Sequence, residues 1–333
     1  MLAVIMLSLG VFLNQGASIK PSQGSVHKLH SGQPKALADA VNDANLTSFV
    51  TETSSGAAVI RAQVLLCRAK FSVGEIDGSP GTNFRRAIEG FQRARGIPVT
   101  GTVNKATWKA LNVDHGLAIV AYRITNKDVA GPFVKIPDDW AEMAKLPKMG
   151  YASVNDELGE RFHSNPALLH KLNPGKILDQ PDTEIMVPNL NIGLRAKAAS
   201  VVVSKSQGTV TVLDGRKKVI AQFPATTGSD HDPLPIGVWK VIDTHYDPTF
   251  SYNPNLFWNA GSNDIKETIA PGPRGPVGVV WMGISKEHYG IHGTAVPSAV
   301  GHAQSHGCIR LTNWDAMDLA RTVGPGTPVH LEE

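Results

Sequence analysis

The chain is short of cysteine, of sustained apolar runs and of charge of one sign. Only 2 of its 333 residues are Cys, at Cys67 and Cys308, too few for a disulfide framework or a four-thiolate zinc site. A net charge of +3 is too small to imply a nucleic-acid partner. Crossing a bilayer as a helix takes about 20 apolar residues, and the best candidate, MLAVIMLSLGVFL at residues 1–13, stops short of that. What the chain does have is a hydrophobic content of 42%, with 32 Gly and 22 Pro. That supply excludes wholesale disorder and favours many turns and a β-rich part. The length points to two or three domains.

Residues 1–13 suit the apolar region of an export signal, here taken as 1–17, although no Lys or Arg precedes the run and Gly16-Ala17 is an indifferent cleavage site. Residues 18–56, rich in Ser, Gly, Asn, Asp and Ala, read as a linker with one short helix around 37–46. Charge is uneven beyond it. Residues 58–112 hold nine Lys/Arg against three Asp/Glu, whereas residues 198–333 hold ten against twelve. The basic stretch suits an anionic polymer and equally a plain solvated surface.

Within 57–112 three short helices are expected. Val59, Ala62, Leu66 and Ala69 fall at helical spacing, then Asp77-Gly78-Ser79-Pro80-Gly81 breaks the chain. Thr82 or Asn83 is placed to cap a second helix with buried face Phe84, Ala87, Ile88 and Phe91, ended by Gly96. Thr102 or Asn104 starts a third through Trp108 to Leu111. Cys67, inside the first helix, reads as a structural thiol. This unit resembles the peptidoglycan-binding domain type 1, on Asp77-Gly78, Gly81, Ala87, Phe91-Gln92, Gly96, Gly101, Thr107-Trp108 and Leu111. Phe84 stands where that family usually has Thr. Residues 113–197 offer two short helical runs and an apolar strand ending at Pro188, a βααβ pattern that resembles a LysM module and is otherwise a spacer.

From residue 198 the pattern changes to short β-branched runs at 201–204, 210–213, 219–223 and 238–242, punctuated by Gly and Pro, which implies a sandwich or barrel. Its last part carries Tyr289-Gly290-Ile291-His292-Gly293 and Ser305-His306-Gly307-Cys308-Ile309-Arg310. A thiol becomes a strong nucleophile when an imidazole takes its proton. His292 is far enough upstream to return beside Cys308 through a strand and a turn. His306, Cys308 and Arg310 alternate, so an extended segment projects all three to one side. Gly307 would let a substrate approach the backbone, its N–H and that of Cys308 would form an oxyanion hole, and Arg310 would hold a carboxylate. Three other readings compete: a zinc site from His292, His302, His306 and Cys308, a Cys67–Cys308 disulfide, and histidines that merely satisfy core polar groups.

His292 with Ser305-His306-Gly307-Cys308 and Arg310 resembles the signature of the L,D-transpeptidase family (YkuD-type catalytic domain), over about residues 198–331. Thr227-Gly228, Pro235-Ile236-Gly237 and the helix start at Asn313-Trp314-Asp315-Ala316 also fit. The resemblance implies a nucleophile at Cys308, its base at His292, and an imidazole oriented by the Gly293 carbonyl. It gives the nucleophile's surroundings to His306 and Gly307, and substrate contacts to Arg310, Ser305, Tyr289 and Trp281. Residues 247–276, with Trp258, look like a lid. The implied reaction is a cysteine acyl transfer that releases the terminal D-Ala of a tetrapeptide stem and forms 3→3 cross-links. An L,D-carboxypeptidase, a lipoprotein-anchoring transpeptidase and a non-catalytic wall-binding protein are the alternatives. The implied reaction needs no metal and no organic cofactor. Its implied partners are peptidoglycan stem peptides and glycan strands, with an envelope lipoprotein as an alternative acceptor, acting as a monomer outside the cytoplasm. The expected fold is multidomain α+β: a three-helix wall-binding domain at 57–112, a LysM-like βααβ or spacer segment at 113–197, and a β-rich, sandwich-like catalytic domain at 198–333.

Overall fold

A computed structural model describes residues 36–190, 193, 196–258 and 260–333. The expected export signal at 1–17 and residues 18–35 of the expected linker lie outside the described residues. Among those described, no helix is long and apolar enough to cross a membrane.

The short helix expected around 37–46 is present, and from residue 36 onward the expected linker packs against the first core. Helix α1 (Ala36–Asn42) buries Ala38 and Val41 in the first core, and Val50 forms a bridge with Val103.

Helices α2 (Ala57–Arg68), α3 (Thr82–Arg95) and α4 (Lys105–Leu111) follow as expected. Their apolar stripes meet in one cluster, where Phe71 and Phe91 pack edge to face at 5.5 Å. Truncating such a buried Phe to Ala costs about 3–5 kcal/mol. Gly96 ends α3 at φ +64°, a conformation that favours glycine. Asn104 caps α4 by accepting from Thr107 N–H. The capping expectation at Thr82 or Asn83 fails: α3 begins after Gly81 with no side-chain cap, and the Asn83 amide is used elsewhere. Gln92 is fully buried and bonds in both directions to the turn at Thr100, Gly101 and Thr102 and to Thr107, which ties α3 to α4.

The middle segment is a packed unit. Strand β1 (Ile119–Arg123) pairs antiparallel with β2 (Glu184–Pro188). Between them in sequence come α5 (Trp140–Ala144), α6 (Val154–Arg161) and α7 (Pro166–Leu172). Asn173 bonds the Leu169 carbonyl and both backbone groups of Met186, fixing α7 on β2. One face of this unit has its own core around Leu158, Leu169 and Ile185. The other, through Ile119, Leu168, Leu172 and Met186, joins the core of the helical unit.

The last part forms β3 (Ser200–Ser204), β4 (Thr209–Leu213), β5 (Val219–Pro224), β6 (Gly237–Tyr246), β7 (Phe250–Tyr252), β8 (Glu267–Ile269), β9 (Val280–Ile284), β10 (Gly290–His292), β11 (Ile309–Arg310), α8 (Asn313–Ala320) and β12 (Pro328–Glu332). Eight strands make one sheet in the order β11-β10-β9-β6-β12-β3-β4-β5. The sandwich-like expectation takes the form of this single continuous sheet. Its two halves share β6, which pairs with β12 through residues 237–240 and with β9 through 241–246, with a bulge between Val241 and Asp243. Val201, Val203, Val210 and Val212 from one half and Met282, Ile291 and Ile309 from the other meet in one buried cluster. Each such burial contributes about 2 kcal/mol. Strands β7 and β8 form a separate hairpin beside the sheet.

Candidate functional site

The chemistry-bearing residues collect at the β9–β10–β11 end of the sheet. Strands β10 and β11 run parallel, with His292 opposite Arg310, and β9 places Trp281 opposite His292 on the other side. A cavity of about 980 Å³ opens there, lined by Trp281, Tyr289, His292, His306, Cys308 and Arg310, and it extends beneath the β7–β8 hairpin. The structure therefore brings together six residues singled out from the sequence.

His292 is buried and its ring stacks on Trp281 at 5.4 Å and 18°. Its Nδ1 donates to the Gly293 carbonyl at 2.6 Å, which leaves Nε2 as the free acceptor. Burial, with the nearby Arg310 charge, pushes the imidazole down to about 3, against the opposing pull of the Gly293 carbonyl. The ring is thus a neutral base across the ordinary pH range. The Cys308 thiol donates to the His288 carbonyl at 3.7 Å. Burial pushes this thiol up, while the Gly290 N–H and Arg310 pull it down. Burial also lowers the Arg310 guanidinium, whose Nε is buried without a hydrogen-bond partner. A ligand carboxylate in the cavity would satisfy that charge. His306 is half-buried against Phe257 and Trp258 of the loop after β7, with ring centroids 5.0 and 5.9 Å away, and burial lowers its imidazole.

Two expectations change. Gly307 has φ +100°, and a Cβ there would lie 2.7 Å from the Tyr289 ring. The glycine makes room for Tyr289 and for a left-handed turn, where substrate approach was expected. Ser305 is corrected from a substrate contact to an internal brace. It is 3% exposed, its hydroxyl donates to the Cys308 carbonyl at 2.6 Å, and its backbone bonds Thr227 and Ser229. The thiol pair of the disulfide reading is unjoined.

Sequence reasoning passed over Asn313 as a mere helix start. Its buried Oδ1 accepts from the Thr294 and Val279 N–H groups and its Nδ2 donates to the Pro273 carbonyl, so it holds the turn that follows His292. Gly278 and Gly293 leave space for it, since a Cβ on either would overlap Asn313 Oδ1. Thr226 was also missed. Its backbone exchanges two hydrogen bonds with Arg310 and its hydroxyl accepts from Gly301. One polar residue inside a helix's first turn carries no signal that separates it from ordinary capping. Within the 247–276 stretch, Tyr252 of β7 stacks on Trp140 of α5 at 4.1 Å and 12°.

Of the three units, the helical one matches a wall-polymer-binding family and the sheet unit a catalytic one. Residues 55–111 match the family described as "Putative peptidoglycan binding domain", and residues 198–331 match the L,D-transpeptidase catalytic domain. A relative in Bacillus subtilis strain 168, "Putative L,D-transpeptidase YqjB", is 30% identical over 135 residues, covering 39% of this chain and 68% of that protein. The chain belongs to the L,D-transpeptidase family. "Putative L,D-transpeptidase YkuD" of Bacillus licheniformis is 52% identical over 61 residues, which is 18% of this chain and 37% of that protein. The chain thus spans little more than a third of that relative's length. A solved L,D-transpeptidase from Mycobacterium smegmatis is 21% identical, covers 46% of this chain and 64% of that chain, and superposes with a TM-score of 0.33.

Proposed function

We propose that this protein is a peptidoglycan L,D-transpeptidase that works by cysteine acyl transfer. The observation that carries the reading is one cavity holding Cys308, a neutral imidazole at His292 fixed by the Gly293 carbonyl, and the buried Arg310 charge. Two half-reactions follow. His292 Nε2 takes the thiol proton as the sulfur attacks the carbonyl carbon of the third stem residue. The C–N bond to the terminal D-alanine breaks, and the imidazolium returns the proton to the leaving amine. An amine, the side-chain amine of another stem's third residue, then attacks the thioester. Its proton passes through His292 to the sulfur, and a 3→3 cross-link remains. Gly307 and Cys308 supply N–H groups to the oxyanion, worth about 3–4 kcal/mol of barrier for a good donor. His306 shapes the nucleophile's surroundings, Arg310 meets a stem carboxylate, and Trp281 and Tyr289 wall the acyl-donor groove.

The helical unit at 57–112 holds glycan or stem peptide, and the 113–197 unit, a strand pair enclosing helices as in a LysM module, adds a second wall contact. The substrate implies an exported protein, in periplasm or cell wall, with residues 1–17 as its signal. It works as a monomer without metal or organic cofactor and without nucleic acid. The same acyl-enzyme serves a lipoprotein lysine or water as alternative acceptors.

The test is mass spectrometry of disaccharide-tetrapeptide incubated with the wild type and with Cys308→Ala. Loss of D-alanine with a matching dimer, in the wild type alone, is the expected result. Loss without a dimer moves the acceptor to water or another amine, and activity surviving Cys308→Ala contradicts the thiol mechanism.

A further inference from the structure

Residues 293–302 link the strand that carries His292 to the loop that carries Cys308, and both other units grip that link. From the helical unit, the buried Asn83 donates through Nδ2 to the Val300 carbonyl at 2.8 Å and meets His302 Nε2 at 3.4 Å. Gly301, at φ +79°, presses so close that a Cβ there would lie 2.2 Å from Asn83 Oδ1. The Gly301 N–H donates to Thr226 Oγ1 at 2.9 Å, and the Thr226 backbone bonds Arg310 in both directions at 3.0 and 2.9 Å. Asn83 is therefore two residues removed from the strand that follows the nucleophile. From the middle unit, Asp156 and Glu160 of α6 hold the Arg274 guanidinium, whose Nη1 donates to the Ala295 carbonyl at 3.1 Å.

Neither grip resembles a loose tether. Asn83 sits in the first turn of α3, where an amide ordinarily serves its own helix end, yet that helix has no side-chain cap. The local bond is given up for one between units. The Arg274 side chain is only 10% exposed, and a charge so enclosed is held tightly by its partners.

We propose that the helical and middle units are positioning elements of the catalytic site, with Asn83 and Arg274 clamping residues 293–302 and so setting His292 against Cys308. This inference rests on the acyl-transfer reading of that pair. In the full chain, Asn83→Asp keeps the size and turns the donor into an acceptor facing the Val300 carbonyl. Arg274→Lys loosens the second grip from the other unit and keeps the test open should the first variant fold poorly. Arg85→Ala, on the exposed side of the same helix where it pairs with Glu52 and Glu89, is the control.

The measurements are kcat and KM for D-alanine release from disaccharide-tetrapeptide, and the pH profile of Cys308 alkylation by iodoacetamide. The expected result is a kcat lower by about tenfold or more with KM nearly unchanged, and an alkylation profile displaced along the pH axis, in both variants. Arg85→Ala overlays the wild type. A loss confined to KM, or kcat and profile both unchanged, overturns the proposal and leaves the two units as anchors. Displaced profiles with no D-alanine release even in the wild type overturn the acyl-transfer reading and leave the clamp standing.

Discussion

Cys67 and Cys308 carry the same half-buried side chain in two different settings. In both, burial pushes the thiol up, that of Cys67 to about 12. Around Cys67 the chain offers the Val73 N–H, which pulls the thiol down, the Asp315 carboxyl, which pushes it further up, and the Lys70 charge, which pulls it down. Around Cys308 it offers the Gly290 N–H, the Arg310 charge, a cavity and a neutral imidazole in the same wall. Burial alone therefore does not separate a structural thiol from a reactive one. An imidazole able to receive its proton and a cavity able to admit a substrate do.

The largest expected difference between the two sites comes from deleting each thiol. Cys308→Ala lowers D-alanine release by at least about a thousandfold, whereas Cys67→Ala leaves kcat within about twofold and costs about 1 kcal/mol of stability. Release assays and denaturant unfolding on the two purified variants read both numbers. Native alkylation followed by peptide mapping draws the same contrast, with Cys308 labelled well before Cys67.

A smaller effect tests the backbone beneath the nucleophile. Gly307→Ala forces a Cβ into φ +100° and against the Tyr289 ring. It is expected to lower kcat about 100-fold by displacing the thiol, at a stability cost of about 1–3 kcal/mol. A variant with normal kcat would show that the loop tolerates another path.

The pH dependence sharpens the comparison further. Because His292 titrates near 3, the acylation rate should show no ascending limb where an ordinary histidine titrates, around 6.5. Trp281→Ala opens the stacked ring to water, lets the imidazole rise toward its ordinary value, and should introduce that limb. Stopped-flow acylation from pH 4 to 8 distinguishes the two profiles.

The smallest effect lies in stability. Burial raises Glu160 and Asp315 to about 7 from ordinary values of 4.5 and 3.8. His163 and His292, lowered to about 3 by burial, contribute a rise in stability between about pH 3 and 6.5. At Glu160 and Asp315, by contrast, the folded protein holds protons that the unfolded chain releases, so their contribution to stability falls as pH rises from about 4 to about 7. Asp315→Asn should flatten part of that slope in thermal unfolding scans. A gap between the wild-type and Asp315→Asn midpoints that stays constant over this range would contradict the assignment.

Much of this was legible in the residues. The helical spacing around Phe84, Ala87, Ile88 and Phe91 marks α3, because a core-facing stripe repeats at the helix period. Cys308, His292 and Arg310 stood out because few other roles need those types at that spacing. Three features were not legible. Asn83 read as a helix cap, since a local hydrogen bond is the default for that residue and its partner, Val300, is 217 positions away. Ser305 was given a substrate contact by the resemblance alone, and no pattern in the sequence shows that its hydroxyl turns inward to the Cys308 carbonyl. Gly307 read as open space, and only the fold brings the Tyr289 ring above it.

The most direct test is to trap the acyl-enzyme. The full chain is mixed with disaccharide-tetrapeptide, quenched in acid within one turnover, digested and mapped by mass. The account predicts the stem acyl group on Cys308, none on Cys67, and one D-alanine released per adduct. D-alanine released with Cys308 unmodified throughout, or an adduct on any other side chain, would contradict it.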